Sequence, residues 1–191
     1  MKIFCIGLSR TGTSSLTDAL DILGFNAFHF PHILHALGQI YIRRKFYQYD
    51  ALSDTPVTLN YKKLDRKFPN SKFILTTREK ENWLKSCSNY PAFQKTVNPS
   101  PKKKVRVLRK KLYGSIYFDK ATFSKAYDDH HQEVKSYFKG REKNLLILDI
   151  TKGETWEQLC PFLDVPIPDT DFPKVNTIEN LGWKKAAAIQ P

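Results

Sequence analysis

Cysteine is scarce in this sequence: Cys5, Cys87 and Cys160 stand alone, with no C-x-x-C pair and no regular spacing. An odd, sparse set argues against a disulfide scaffold or a zinc site and suits a reducing cytoplasm, the expected compartment. Long apolar runs are missing too. No stretch of about 18 apolar residues exists, so no membrane span is expected. The first residues carry one lysine and a short apolar run broken by Gly7, Ser9 and Arg10, without a small-residue cleavage site. That is the pattern of a buried strand and not of a signal peptide. There is no internal repeat and no low-complexity tract. Carboxylates are outnumbered: 19 Asp and Glu stand against 31 Lys and Arg, a net charge of +12. Such a chain favours an acidic partner, whether nucleic acid, anionic lipid or a small phosphorylated or sulfated ligand. Charge alone does not choose among them.

What is present is enough for an ordered core. Hydrophobic residues make up 41% and aromatics 13% of 191 residues, which points to one domain over 1–191. "IFCIGL" (3–8) is a continuous apolar run, as in a strand covered on both faces. "TSSLTDALDILGF" follows with Leu16, Leu20 and Leu23 at helical spacing and stops at Gly24. "NAFHF" (26–30) reads as a second strand and 33–49 as a helix. "DALSDTPV" reads as a short strand edge ending in a turn, and "NYKKLDRKFPNS" as a helix stopped at Pro69 and Asn70. "KFILTTR" (72–78) is a clear strand, and "EKENWLKSCSNY" a helix with Trp83, Leu84 and Cys87 inward. Residues 91–101 form a proline-rich loop, then come helices over 102–117 and 120–139, a strand "NLLILDI" (144–150) and a short helix "TWEQLCPFL". The tail "DVPIPDTDFPKVN" is expected to cross the surface extended. Alternation of this kind implies an α/β fold in three layers, a mostly parallel sheet of about five strands between helices. Ligands of such sheets bind beyond the carboxyl ends of the strands, where the loops after Leu8, Thr77 and Ile150 gather.

The first of those loops carries the chemistry. Gly7-Leu8-Ser9-Arg10-Thr11-Gly12-Thr13-Ser14 has the glycine spacing of a phosphate loop, G-x-x-x-x-G, between a strand and a helix. Backbone N–H groups at such a helix start cradle an anion, and Thr11, Thr13, Ser14 and Ser15 add hydroxyls. Thr13 stands where an ATPase needs its lysine, and the only cation of the loop is Arg10. Taken alone the stretch is as readily a plain strand-to-helix turn.

"RTGTSS" resembles the 5′-phosphosulfate loop of the P-loop sulfotransferases, roughly [K/R]-[S/T]-G-T-[S/T]. "FILTTREKENWLKSC" supplies the second family element, an arginine ending a strand and a serine eight residues later, here Arg78 and Ser86. The resemblance implies a P-loop fold and transfer of a sulfuryl group from 3′-phosphoadenosine 5′-phosphosulfate (PAPS) to a hydroxyl or amine, leaving 3′-phosphoadenosine 5′-phosphate (PAP). It implies Ser9, Arg10, Thr11, Gly12, Thr13, Ser14 and Ser15 around the 5′-phosphosulfate, and Arg78 and Ser86 on the 3′-phosphate. Arg10 is the candidate to stabilise the leaving oxygen. No metal is required, because the leaving group is already a stable phosphate.

The acceptor needs a base within about 3 Å. Asp54, after the third strand, is the first candidate, with an Asx-turn or cap before Pro56 as its plain alternative. His29, ending the second strand, is the next. His130 and His131 sit in the polar helix "KAYDDHHQEV" and are expected at the surface. Three family features are absent: the lysine-threonine-histidine base motif, the tryptophan after the loop (Ser15 here), and a recognisable late arginine-lysine-glycine clamp, for which Lys184 and Lys185 are the substitutes. "KKKVRVLRKK" (102–111) has seven basic residues in ten, with Val105, Leu108 and Leu112 at helical spacing. It is either a solvated face or a surface for the donor, for an anionic small-molecule or carbohydrate acceptor, or for peripheral contact with acidic lipid. Two rivals stay open: an ATP-dependent P-loop phosphotransferase, and a non-catalytic nucleotide or nucleic-acid binder. The missing lysine disfavours the first. The unexplained phosphate loop disfavours nucleic acid.

Overall fold

The computed structural model describes residues 1–29 and 48–175. The helix expected over 33–49 lies almost wholly outside the described residues, as do Lys184 and Lys185. The described elements run β1 (Ile3–Cys5), α1 (Thr13–Ile22), β2 (Ala27–His29), β3 (Ala51–Ser53), α2 (Thr55–Thr58), α3 (Tyr61–Lys67), β4 (Lys72–Thr76), α4 (Lys80–Ser88), α5 (Lys103–Tyr113), α6 (Lys120–Phe138), β5 (Leu145–Leu148) and α7 (Trp156–Leu163).

The five strands form one sheet in the order β2-β3-β1-β4-β5, and each neighbouring pair is parallel. Side-chain alternation divides the core. Ile3, Cys5 and Ile74 face α1 and α7, packing with Leu16, Leu20, Trp156 and Leu159, while Phe4, Ile6, Phe73 and Leu75 face Leu64, Val134 and Phe138 of α3 and α6. Both faces are apolar, so the strands read as continuous apolar runs, and the expected three-layer α/β fold is the one found.

Three boundaries differ from expectation, each for a local reason. β3 is an interior strand between β2 and β1, because β2 takes the edge. The "TPVT" after it winds into α2 instead of a turn: Asp54 Oδ1 accepts the Thr55 N–H at 2.7 Å, and proline starts the helix with its φ preset. α5 stops at Tyr113, short of 117, because Gly114 takes φ 74° and caps it in the left-handed conformation. The tail is anchored as well as extended. Phe172 packs on Trp156 at 4.7 Å, and Trp156 Nε1 donates to the Thr170 carbonyl at 2.8 Å.

From β3 the chain crosses β1 to reach β4 on its other side, so β1 is the switch point of the sheet. The loops leaving β1, β3 and β4 therefore open side by side at one end, where ligands of such folds bind.

Candidate functional site

The two glycines of the loop after β1 are required for different reasons. A side-chain carbon on Gly7 would lie 1.9 Å from Thr76 Oγ1 and 2.7 Å from the Thr76 carbonyl oxygen, so only glycine lets β1 leave the sheet against the end of β4. Gly12 adopts φ 97° at the start of α1 and contributes no side-chain cap. The N–H groups of the first turn of α1 thus lack an intrahelical acceptor, an arrangement chemically suited to an anion.

Between the glycines the loop is held from behind by the core. Ser9 donates its N–H to the Tyr113 hydroxyl at 3.1 Å, and its carbonyl accepts from Trp83 Nε1 at 2.9 Å. Tyr113 and Trp83 are both buried, and Tyr113 stacks on Phe123 at 4.7 Å. Thr11 is fully buried, donating to the Leu8 carbonyl and pairing with Thr76 Oγ1, each at 2.6 Å. Ser15 Oγ accepts the Val175 N–H at 3.0 Å. Two of the four hydroxyls expected to meet an anion are therefore turned to the protein, one locking the loop to β4 and the other tying down the tail. Thr13 is buried at the first position of α1, and Ser14 is half-buried.

Arg10 leaves the loop toward α4. Its backbone takes φ 76°, its Nε donates to Ser86 Oγ at 3.1 Å, and its guanidinium carbon lies 4.7 Å from the centre of the Tyr90 ring. Residues of the two anion motifs, 76 positions apart, are thus in contact. Arg78 follows β4, with its carbonyl held by the Tyr127 hydroxyl at 2.6 Å. Its Nε is buried without a hydrogen-bond partner. Burial pushes the Cys87 thiol up to about 12, while the charges of Arg10 and Arg78 both pull it down, so the two cations act on one buried side chain. A buried guanidinium N–H without an acceptor is costly, and an anion is what would satisfy it.

Asp54 follows β3 on a strained backbone, φ 76° and ψ −177°, a region that glycine alone visits freely. Its Oδ1 accepts from Ser9 Oγ at 2.9 Å and from the Thr55 N–H and hydroxyl at 2.7 and 3.1 Å. Its Oδ2 lies 3.3 Å from His29 Nε2. His29 Nδ1 lies 2.9 Å from Ser53 Oγ, which in turn is 2.7 Å from Thr17 Oγ1. Ser14 Oγ approaches the other side of the ring, 3.5 Å from Nε2. The two candidate bases are one pair, joined to the loop through Ser9. In front of them a cavity of about 280 Å³ is walled by Tyr90, Phe93, Tyr113, Val105 and Leu108.

Residues that were expected at the surface are buried here. His130 is 6% exposed, and its Nε2–H donates to the Ile6 carbonyl at 2.8 Å, one residue before Gly7. His131 stacks on Tyr127 at 3.9 Å and is half-buried. Their polar neighbours Asp128, Asp129 and Glu133 face outward, so the composition of the segment hid the inward face. Arg109, counted among the cations of 102–111, is also buried, donating to the Ala92 carbonyl at 2.6 Å with its guanidinium 4.9 Å from the Phe93 ring. Burial lowers its pKa. Tyr113, Trp83, Tyr90 and Phe93 build the site from afar; spacing turns Trp83 inward, but no local signal ties any of them to the loop. Among the described residues no helix is long and apolar enough to cross a membrane, and no three His, Cys, Asp or Glu side chains gather as a metal site.

Comparison with known proteins agrees with this geometry. The chain is similar to Ava biosynthesis cluster protein M of Aspergillus versicolor, at 28% identity across 93% of this chain and 81% of that protein. The family model of the sulfotransferase domain matches residues 2–181, which takes in the glycine loop, both arginines and the Asp54–His29 pair. The sequence motifs, the parallel sheet and that match agree: the chain belongs to the sulfotransferase-domain family.

Proposed function

We propose that the chain transfers a sulfuryl group from PAPS to a hydroxyl or amine of a small-molecule or carbohydrate acceptor. The observation that carries this reading is the bond from Arg10 to Ser86, together with the unpartnered Nε of Arg78, whose charge acts with that of Arg10 on the Cys87 thiol; this supports one anion-binding face drawn from two separate motifs. The residues present fit the donor. The N–H groups of the first turn of α1 suit its 5′-phosphosulfate, and Arg78 with Ser86 suits its 3′-phosphate. When bound, PAPS supplies an activated sulfuryl group on a phosphate that leaves readily.

The chain's own residues then have distinct tasks. Arg10 extends from the loop to Ser86, so it bridges the two phosphate positions and is placed to stabilise charge on the leaving oxygen. Asp54 Oδ1 is held by Ser9 and Thr55, which leaves Oδ2 as the atom that takes the acceptor's proton. His29, 3.3 Å away, orients that oxygen and shares the proton. Tyr90, Phe93 and Leu108 exclude water from the cavity in which the acceptor hydroxyl meets the pair. The reading assigns no role to a metal and places the reaction in the cytoplasm.

Calorimetric titration with PAP, ATP and AMP, on wild type and Arg78→Ala, tests this. PAP should bind at least about tenfold more tightly than ATP. Arg78→Ala should cost about 2 kcal/mol on PAP and little on AMP, as for a lost charge-assisted hydrogen bond. Equal affinity for ATP and PAP would overturn the reading in favour of a phosphotransferase.

A further inference from the structure

A second hollow, of about 580 Å³, lies between α3, the end of α5 and α6. Its volume is within the range of ligand sites. It contains two carboxylates, and each already has a lysine: Glu133 pairs with Lys62 and Asp129 with Lys125, both at 2.5 Å. Lys63, Arg66, Lys110 and Lys111 also line it, all exposed, and among the described residues none of these four side chains has an ion pair or hydrogen bond. Tyr61, 5% exposed, lines the same groove, and its buried hydroxyl has no hydrogen-bond partner. Four uncompensated cations in one hollow call for an anion with several oxygens.

The position of the groove says which anion. Tyr113 walls both this groove and the 280 Å³ cavity that faces Asp54 and His29. α5 divides its side chains between the two, Val105 and Leu108 toward the cavity, Lys110 and Lys111 toward the groove. Helix α2 does the same with Thr55 and Thr58. Tyr113 and the touching helices α2 and α5 are thus a wall common to the groove and the acceptor cavity, over which an extended ligand would reach, and the groove lies apart from Arg78 and Ser86, neither of which lines it.

We infer that this groove holds the remote part of an acceptor that already carries sulfate, phosphate or carboxylate groups, while its reacting hydroxyl enters the cavity. The inference rests on the sulfotransferase reading above and narrows its acceptor to an anionic, extended molecule. The sequence run 102–111 thereby divides: Leu108 and Arg109 build the wall, and Lys110 and Lys111 meet the ligand.

The test compares maltotetraose sulfated at its primary hydroxyls with unmodified maltotetraose, titrated into the PAP-bound protein and into the variant Lys63→Ala/Lys111→Ala. The sulfated form should bind at least about tenfold more tightly than the neutral one, and the variant should lose about tenfold of that affinity while PAP binds within about twofold of wild type. With PAPS present the variant should raise KM for the sulfated sugar and leave kcat unchanged. Equal binding of both sugars, or full binding by the variant, would overturn the inference while PAP binding left the sulfotransferase reading intact. Tighter binding of an oligothymidylate of equal charge, or of phosphatidylserine vesicles, would assign the groove to nucleic acid or membrane and overturn it as well. Failure of wild type to bind PAP would instead overturn the reading on which the inference rests.

Discussion

Acidification should destabilise this protein through His130. Its Nε2–H is committed to the Ile6 carbonyl at 2.8 Å, in a site only 6% exposed. Burial depresses its pKa from 6.5 to about 4, against the opposing pull of the Ile6 hydrogen bond; the neighbouring charge of His131 pushes with burial and Glu133 against it. The native state therefore keeps the ring neutral where the unfolded chain would protonate it. Stability is intact above pH 6.5, declines as pH falls through the window down to about 4, and is fully lost as a contribution below it. At about 1.4 kcal/mol per pKa unit, that gap is worth about 3 kcal/mol in all, of which about 2 kcal/mol is lost between about pH 7.5 and about pH 5. Urea unfolding at those two pH values, on wild type and His130→Gln, measures it. Glutamine can still donate to Ile6 and does not titrate, and His131, whose pKa burial also lowers, is present in both proteins and cancels. Wild type should lose about 2 kcal/mol more than the variant over this interval. Equal losses would refute the assignment.

Three further outcomes follow from the site. Gly7→Ala should destabilise the protein by about 3 kcal/mol or more and abolish PAP binding, since its methyl would lie 1.9 Å from Thr76 Oγ1 in a strand junction that cannot widen. Denaturation midpoints and calorimetry read both effects, and a stable, PAP-binding variant would show that the junction yields. Tyr113→Phe should cost about 1–3 kcal/mol, because the Ser9 N–H loses its acceptor inside the core, and a neutral result in denaturant would mean that water reaches Ser9. Asp54→Asn should keep the stability within about 1 kcal/mol, since the amide oxygen can still accept from Thr55, yet lower kcat by about 10²–10⁴-fold with PAP affinity unchanged. Unchanged turnover would remove Asp54 from proton transfer and leave His29 to be tested by substitution.

The candidate site was legible in the sequence to the extent that each motif is local. Gly12 and the helix behind it, Arg78 at the end of an apolar strand, and Ser86 on the helix that follows are all fixed by short-range spacing. The pairing of Asp54 with His29 was not legible, because it depends on β2 and β3 lying side by side with His29 in register with Ser53. Thr11 and Ser15 illustrate the opposite failure. A hydroxyl in a phosphate loop reads as a ligand, but these two find partners at Thr76 and Val175 that only folding brings near. His130 was misplaced because its helix is polar on the faces that outnumber the buried one.

By itself the order of residues determined the alternation of strands and helices, the both-sided burial of the sheet and the anion loop, because backbone geometry and apolar periodicity act over a few residues. The tertiary structure alone decided that Arg10 touches Ser86, that Tyr113 holds Ser9 from 104 positions away, and that Arg109 of the basic segment turns inward. Those contacts depend on which strands become neighbours across the switch point at β1, and strand order is settled by the packing of whole layers and not by the local pattern of any one segment.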